Sequence, residues 1–167
     1  MLKVKINNAT NFTAVELVKL KTAAAILEKV VNSVEFKDRI LSRQPFANNE
    51  GLTNQQIYDL IQTGKEILSP EEDHEIDVDI TMYWKWGSVI GYTYPNTLKT
   101  WINRRFYKQF DAVGIAGNIM HEYLHKMGFD HDFYNTAKRP NSVPYAVGYL
   151  VEELGYNQDN LHLYLKI

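Results

Sequence analysis

Three histidines and a glutamate stand at a spacing that can bind and use a metal ion. Residues 121–131 read H-E-x-x-H-x-x-G-x-x-H. If this stretch is helical, His121 and His125 share one face, because residues four apart lie one turn above each other. Both imidazoles can then bind one ion. Glu122, one position further round, can take a proton from a water molecule beside that ion.

The glycine and the third histidine complete the pattern. Gly128 follows His125 by three residues, where a left-handed residue ends a helix and turns the chain. His131 can then return as a third nitrogen ligand. Three imidazoles leave one position of a tetrahedral zinc ion open, which is typical of catalytic sites. A structural zinc site would need a fourth protein ligand, and the chain has no cysteine to supply one.

These eleven residues resemble the zinc-binding motif of the metzincin clan of metallopeptidases. The resemblance implies one catalytic Zn²⁺ held by His121, His125 and His131, with Glu122 as general base for peptide hydrolysis. Metzincins also carry a Ser-x-Met turn after the motif, followed in some families by a tyrosine. Ser142 and Tyr145 fit this pattern, whereas Pro144 stands where the methionine is expected.

Several residues near the motif have two interpretations. Tyr145 either binds the resting metal or donates its hydroxyl to the oxyanion, or it is a core tyrosine. Asp130 and Asp132 either hydrogen-bond to the ligands or cap the turn. His74 and His162 lie outside the motif and are interpreted as surface residues.

The motif must be positioned by helices, and capping signals in the sequence predict where these helices begin. Capping boxes begin at Thr13 and Thr53, and Asp111 is a suitable N-cap for the zinc helix. Residues 34–44 suit either a short helix or an irregular strand. The predicted helices follow Thr13, run from Thr53 to about Leu68, span residues 112–127 as the zinc helix, and span residues 146–154 before a stop at Gly155.

Alternating apolar residues predict strands at residues 2–6, 76–84, 89–94, 97–107 and 161–167. The second of these should turn one face, through Trp84, into the core. By the metzincin resemblance, the strand from Val89 to Tyr94 is the sheet edge that binds an extended peptide substrate. The alternative is that Gly91 only marks a bulge.

Together these elements predict an α+β fold, a metzincin-like (zincin) domain. It would have a twisted, mixed β-sheet with long helices, and an active-site helix followed by a short C-terminal subdomain. Residues 1–167 are expected to form one domain, with an upper subdomain at about 1–128 and a lower one at about 129–167.

Composition limits the possible functions. Hydrophobic residues at 45% and charged residues at 23% are ordinary for a globular protein. The net charge of −2 offers no electrostatic basis for binding nucleic acid. No apolar run approaches the roughly 18 residues of a membrane span. The first six residues do not resemble a signal peptide, and the compartment stays open: secreted or periplasmic if a signal has been removed, otherwise cytoplasmic.

The predicted function is a zinc-dependent metalloendopeptidase, acting as a monomer on protein or peptide substrates. Two alternatives remain open. A non-peptidase zinc hydrolase would use the same ligands and base. A peptide-binding module descended from a peptidase would have lost turnover, although the intact Glu122 argues against it.

Overall fold

A computed structural model describes residues 1–94 and 96–157 of the chain. Its elements are, in order, β1 (Lys3–Thr10), α1 (Ala14–Val31), α2 (Val34–Ser42), α3 (Asn54–Thr63), β2 (Glu75–Tyr83), β3 (Gly91–Thr93), β4 (Lys99–Asn103), α4 (Arg104–Gln109), α5 (Ala112–Lys126), a 3-10 turn (Arg139–Asn141) and α6 (Val143–Asn157).

The strands form one mixed sheet in the order β1-β2-β4-β3. β1, β2 and β4 run parallel, and β3 pairs antiparallel with β4. β3 therefore lies at the sheet edge, where the strand at 89–94 was predicted, although only Gly91–Thr93 is paired. The α+β class and the mixed sheet are confirmed.

The core lies on one face of this sheet. Side chains alternate along β2, so Ile76, Val78, Ile80 and Met82 are buried while the residues between them are only partly covered. They join a hydrophobic core with α1, α5 and α6. α5 packs against both α1 and α6, which holds this helix inside the protein. Among the described helices, none is long and apolar enough to cross a bilayer.

The local helix-start signals act as expected. Both capping boxes are present, at Thr13 with Glu16 and at Thr53 with Gln56. The ambiguous stretch at residues 34–44 is helical over Val34–Ser42, because the Ser33 hydroxyl accepts a hydrogen bond from the Phe36 amide and starts the helix.

The predicted end of α3 near Leu68 is wrong. The helix ends at Thr63, because Gly64 adopts a left-handed conformation with φ of 77° and serves as its C-cap. A Cβ at Gly64 would stand 2.6 Å from the Glu75 nitrogen, so only glycine fits there. Residues 65–69 then form a small turn in which Glu66 bridges to Ser69.

The predicted strand at 97–107 is also wrong in its second half. The Asn103 side chain accepts a hydrogen bond from the Arg105 amide and caps a helix in place of further strand. Contacts with α1 favour this helix: Arg104 forms an ion pair with Glu16 at 3.1 Å, and the buried Tyr107 hydroxyl donates to the Glu16 carbonyl at 2.7 Å. These contacts are distant in sequence, so strand propensity could not anticipate them.

Three smaller expectations also differ. β1 continues to Thr10, beyond the predicted end at residue 6, through a register shift between Ile6 and Asn8. β2 ends at Tyr83, which leaves Trp84 56% exposed and outside the core. Gly155 does not stop α6; it lies within the helix and allows close packing against Val113 and Ile26. The predicted strand at 161–167, with His162, falls outside the described residues.

Candidate metal centre

Helix α5 carries the first part of the motif, and its limits match the prediction to within one residue. Asp111 caps its start, because its carboxylate accepts a hydrogen bond from the Gly114 amide at 2.9 Å. Gly128 follows the helix with φ of 99°, and the Phe129 amide donates back to the Leu124 carbonyl at 3.0 Å. This left-handed turn returns the chain towards the helix face that bears the histidines.

The three histidines converge. Ligand atoms of His121, His125 and His131 all lie within 4.8 Å of one another. The Nε2 atoms of His121 and His125 are 3.3 Å apart. Two nitrogens bound to one tetrahedral zinc ion at the usual bond length are separated by about 3.3 Å. The spacing of this pair and the all-nitrogen donor set therefore fit zinc.

Hydrogen bonds orient two of the rings. His125 Nδ1 lies 2.8 Å from the Phe129 carbonyl, and His131 Nδ1 lies 3.1 Å from the Asp132 carbonyl. In each ring Nε2 is left to face the centre of the cluster. Asp130 Oδ1 is also 3.3 Å from His125 Nδ1, whereas the Asp132 carboxylate accepts a hydrogen bond from Thr136 and so stabilises the loop.

The surroundings favour neutral imidazoles, the form that binds metals. Burial lowers the pKa of His121 to about 3, helped by the nearby His125 and His131 and opposed by a hydrogen bond to the Pro144 carbonyl. Burial, followed by His131, also lowers the pKa of His125. No proton therefore has to be displaced from either ring near neutral pH.

Glu122 lies beside the histidines in a nearly dry position. Its residue surface is 4% exposed, and Oε2 has no hydrogen-bond partner among the described residues. Burial raises the pKa of this carboxyl to about 8, and Lys126 opposes the shift. A buried carboxyl oxygen without a partner in the described part of the chain, next to a possible metal site, is chemically able to take part in proton transfer.

The sheet edge passes directly over this carboxyl. A Cβ built on Gly91 would lie 3.2 Å from Glu122 Oε1 and 3.3 Å from Asn118 Oδ1. The Asn103 amide donates to the Ile90 carbonyl, so Ile90 faces β4. Because backbone direction alternates along an antiparallel strand, Gly91 and Thr93 turn their amides and carbonyls away from β4. The alternative interpretation, in which Gly91 only marks a bulge, does not account for its close approach to Glu122.

Tyr145 also reaches the histidines. Its ring centre is 4.5 Å from that of His121 and 4.7 Å from that of His131. The residues before it do not form the expected turn. Ser142 is followed at once by α6, and Pro144 lies buried in the first turn of that helix, where the absence of an amide hydrogen costs nothing.

Two residues near the site have no counterpart in the sequence interpretation. Asn118 precedes Glu122 by one helical turn, and a search along that helix face would have found it. Its Oδ1 is buried without a partner among the described residues. Arg139 contacts Tyr145 from the 3-10 turn, and no pattern in the sequence predicts that contact.

Comparison with known proteins gives a similarity at the level of structure. No protein-family model matches the sequence, and no curated protein matches it significantly. Among solved structures, the chain is similar to a zinc peptidase from Grifola frondosa, with a TM-score of 0.51 and 19% identity over 88% of this chain and 98% of that one. The chain thus has the fold of a zinc peptidase and a three-histidine cluster compatible with a metal ion.

Proposed function

We propose that this protein is a zinc-dependent metalloendopeptidase with His121, His125 and His131 as metal ligands and Glu122 as general base. The observation that carries the proposal is the convergence of three imidazoles next to the buried carboxyl of Glu122, whose Oε2 has no hydrogen-bond partner among the described residues. The metzincin-type motif and the shared fold with a zinc peptidase support it.

The metal ion and the protein side chains would each supply part of the chemistry. Zinc, when bound, would make a water molecule more acidic and polarise the substrate carbonyl. Glu122 would accept the proton of the attacking water and pass it to the leaving amine. Its buried position keeps the carboxyl close to the reacting atoms and away from bulk solvent. Tyr145, in contact with two of the ligand rings, would donate its hydroxyl to the oxyanion.

The edge strand would position the substrate. The free backbone groups of Gly91 and Thr93 can hydrogen-bond to an extended peptide, which would then lie as one more strand above Glu122. This mode of binding uses the peptide backbone and tolerates many side chains. It places a peptide bond next to the general base, and it favours peptides over small non-peptide substrates.

The test is cleavage of dye-labelled casein by the zinc-loaded full chain, a chelator-treated sample and Glu122→Gln. We expect the wild type to cleave casein, the chelator to abolish cleavage until zinc is restored, and Glu122→Gln to lower the rate roughly 10² to 10⁴-fold. Glu72→Gln is the matched control, because it makes the same change to an exposed carboxyl that pairs with Lys65.

The contrary outcomes point to specific alternatives. A wild type that binds one zinc ion and casein without cleaving it would favour the peptide-binding module. Hydrolysis of small esters without cleavage of casein would favour a non-peptidase hydrolase. Equal rates for wild type and Glu122→Gln would rule out Glu122 as the base.

A further inference from the structure

The guanidinium of Arg139 contacts Tyr145 in two ways. Its Nη2 donates a hydrogen bond to the Tyr145 hydroxyl at 2.5 Å, and its Cζ lies 4.8 Å from the centre of the Tyr145 ring. The group therefore fixes both the position of the phenol oxygen and the tilt of the ring. Because that ring lies against His121 and His131, these contacts connect Arg139 to the three-histidine cluster through Tyr145.

Arg139 is itself held by the loop that follows the third histidine. Nη1 donates to the Phe133 carbonyl at 3.5 Å. Its own carbonyl accepts hydrogen bonds from the Ser142 amide and hydroxyl, at 3.1 and 2.7 Å. Among the described residues, no aspartate or glutamate forms an ion pair with it. The side chain thus joins the His131 loop to the start of α6 through hydrogen bonds to Phe133 and Tyr145.

The direction of the hydrogen bond decides what Tyr145 can do. A guanidinium has donors only, so the phenol oxygen must be the acceptor in this contact. The Tyr145 hydroxyl hydrogen is not used by Arg139 and stays available for an acceptor in the cleft. Donation from a cation also polarises the phenol and makes it a better donor.

We propose that Arg139 is a positioning residue that holds the Tyr145 hydroxyl towards the metal centre, so that the hydroxyl can donate to the oxyanion of a cleaved peptide. The catalytic part rests on the proposed peptidase function, whereas the positional part does not. Arg139 itself touches no reacting atom; it acts through Tyr145.

Two measurements test this on the zinc-loaded full chain. In NMR spectra with labelled tyrosine and histidine rings, the wild type should show cross-relaxation between the Tyr145 ring and the rings of His121 and His131. Arg139→Ala should weaken or lose these signals, and Arg139→Lys should keep part of them because lysine still donates. Arg39→Ala is the matched control, since that exposed arginine bonds Glu153 on the same helix α6.

Casein kinetics provide the second measurement. Arg139→Ala should lower kcat roughly tenfold and leave KM within about twofold, because a group acting only on the transition state changes kcat. Tyr145→Phe should lower kcat roughly 10²-fold, the range of a lost oxyanion donor. Adding Arg139→Ala to Tyr145→Phe should then change kcat little, since Arg139 would have no hydroxyl left to position.

Unchanged ring contacts in Arg139→Ala would overturn the positional claim, whether or not the protein cleaves casein. Losses in kcat that multiply in the double variant would overturn the claim that Arg139 acts through Tyr145. If the wild type does not cleave casein, the peptidase proposal and the oxyanion role fail together, and the NMR result still decides where Arg139 holds the ring.

Discussion

Gly91 on the sheet edge lies so close to Glu122 on helix α5 that a larger residue at position 91 would force neighbouring atoms to move. A Cβ at position 91 would lie 3.2 Å from Glu122 Oε1 and 3.0 Å from the Trp101 carbonyl. The glycine thus lets the edge strand lie directly on the Glu122 carboxyl. In the proposed mechanism, this contact sets the distance between bound peptide and base.

Gly91→Ala should therefore reduce activity through the position of Glu122. We expect kcat on casein to fall roughly tenfold, the effect of a small displacement of a reacting group. Zinc content should be unchanged, because the ligands do not contact this residue. Gly114→Ala is the control: its methyl would meet Phe110 at an ordinary 3.4 Å, within the same zinc helix. Equal activity of the two variants would contradict the prediction.

Zinc should stabilise the folded protein, since the converged imidazoles exist only in that state. Zinc at about 100 times its dissociation constant should raise the free energy of unfolding by about 2.7 kcal/mol. Thermal melts with and without chelator measure this. His131→Ala should lose most of the shift, and His74→Asn should keep it, because Asn tolerates the left-handed backbone at position 74. A full shift in His131→Ala would exclude that residue as a ligand.

Gly128→Ala should both destabilise the fold and weaken zinc binding. Its φ of 99° is unfavourable for alanine, and a Cβ would stand 2.9 Å from Ile67 Cδ1. We expect a loss of about 1–3 kcal/mol in chemical denaturation. Gly51→Ala measures the cost of the left-handed backbone alone, because φ there is 77° and no atom lies within 4 Å of the added carbon. Ile67→Ala should recover part of the loss in the double variant, and no recovery would contradict the role of this contact.

Glu66 should make stability depend on pH. It lies buried 3.9 Å from the Lys126 ammonium, and both oxygens lack hydrogen-bond partners among the described residues. Burial raises its pKa from 4.5 to about 7, with Lys126 opposing the shift. Between these values the folded protein keeps a proton that the unfolded chain has lost. The free energy of unfolding should therefore fall as the pH rises from 4.5 to about 7.

Glu66→Gln should flatten this dependence, because glutamine stays neutral. Its stability should match the wild type near pH 4.5 and exceed it above pH 7 by about 3 kcal/mol, as measured in urea. Glu72→Gln should have the opposite effect and lower the stability at neutral pH. Lys65 lowers the pKa of Glu72, so losing that carboxylate removes a small stabilisation present at neutral pH. A steeper dependence in Glu66→Gln would show that pairing with Lys126 outweighs burial.

Much of the local structure follows from the sequence alone. Two capping boxes, the Asp111 cap and the turn at Gly128 depend on residues a few positions apart, so their hydrogen bonds are fixed by spacing. The placing of the histidine pair has the same basis, because one helical turn separates His121 from His125. The start of α4 after Asn103 was not predicted because contacts with α1, distant in sequence, favour it. The end of α3 at Gly64 has a local cause, a left-handed glycine, that the predicted end at Leu68 overlooked.

The contacts that define the site as a whole were decided only by tertiary structure. The order of the strands places Gly91 over Glu122, and the packing of residues 65–69 brings Glu66 to Lys126. The 3-10 turn directs Arg139 at Tyr145. The sequence determined which residues could bind a metal, because the spacing of a helix and a turn is local. Their surroundings depend on contacts between distant segments, which are set by burial of the common core.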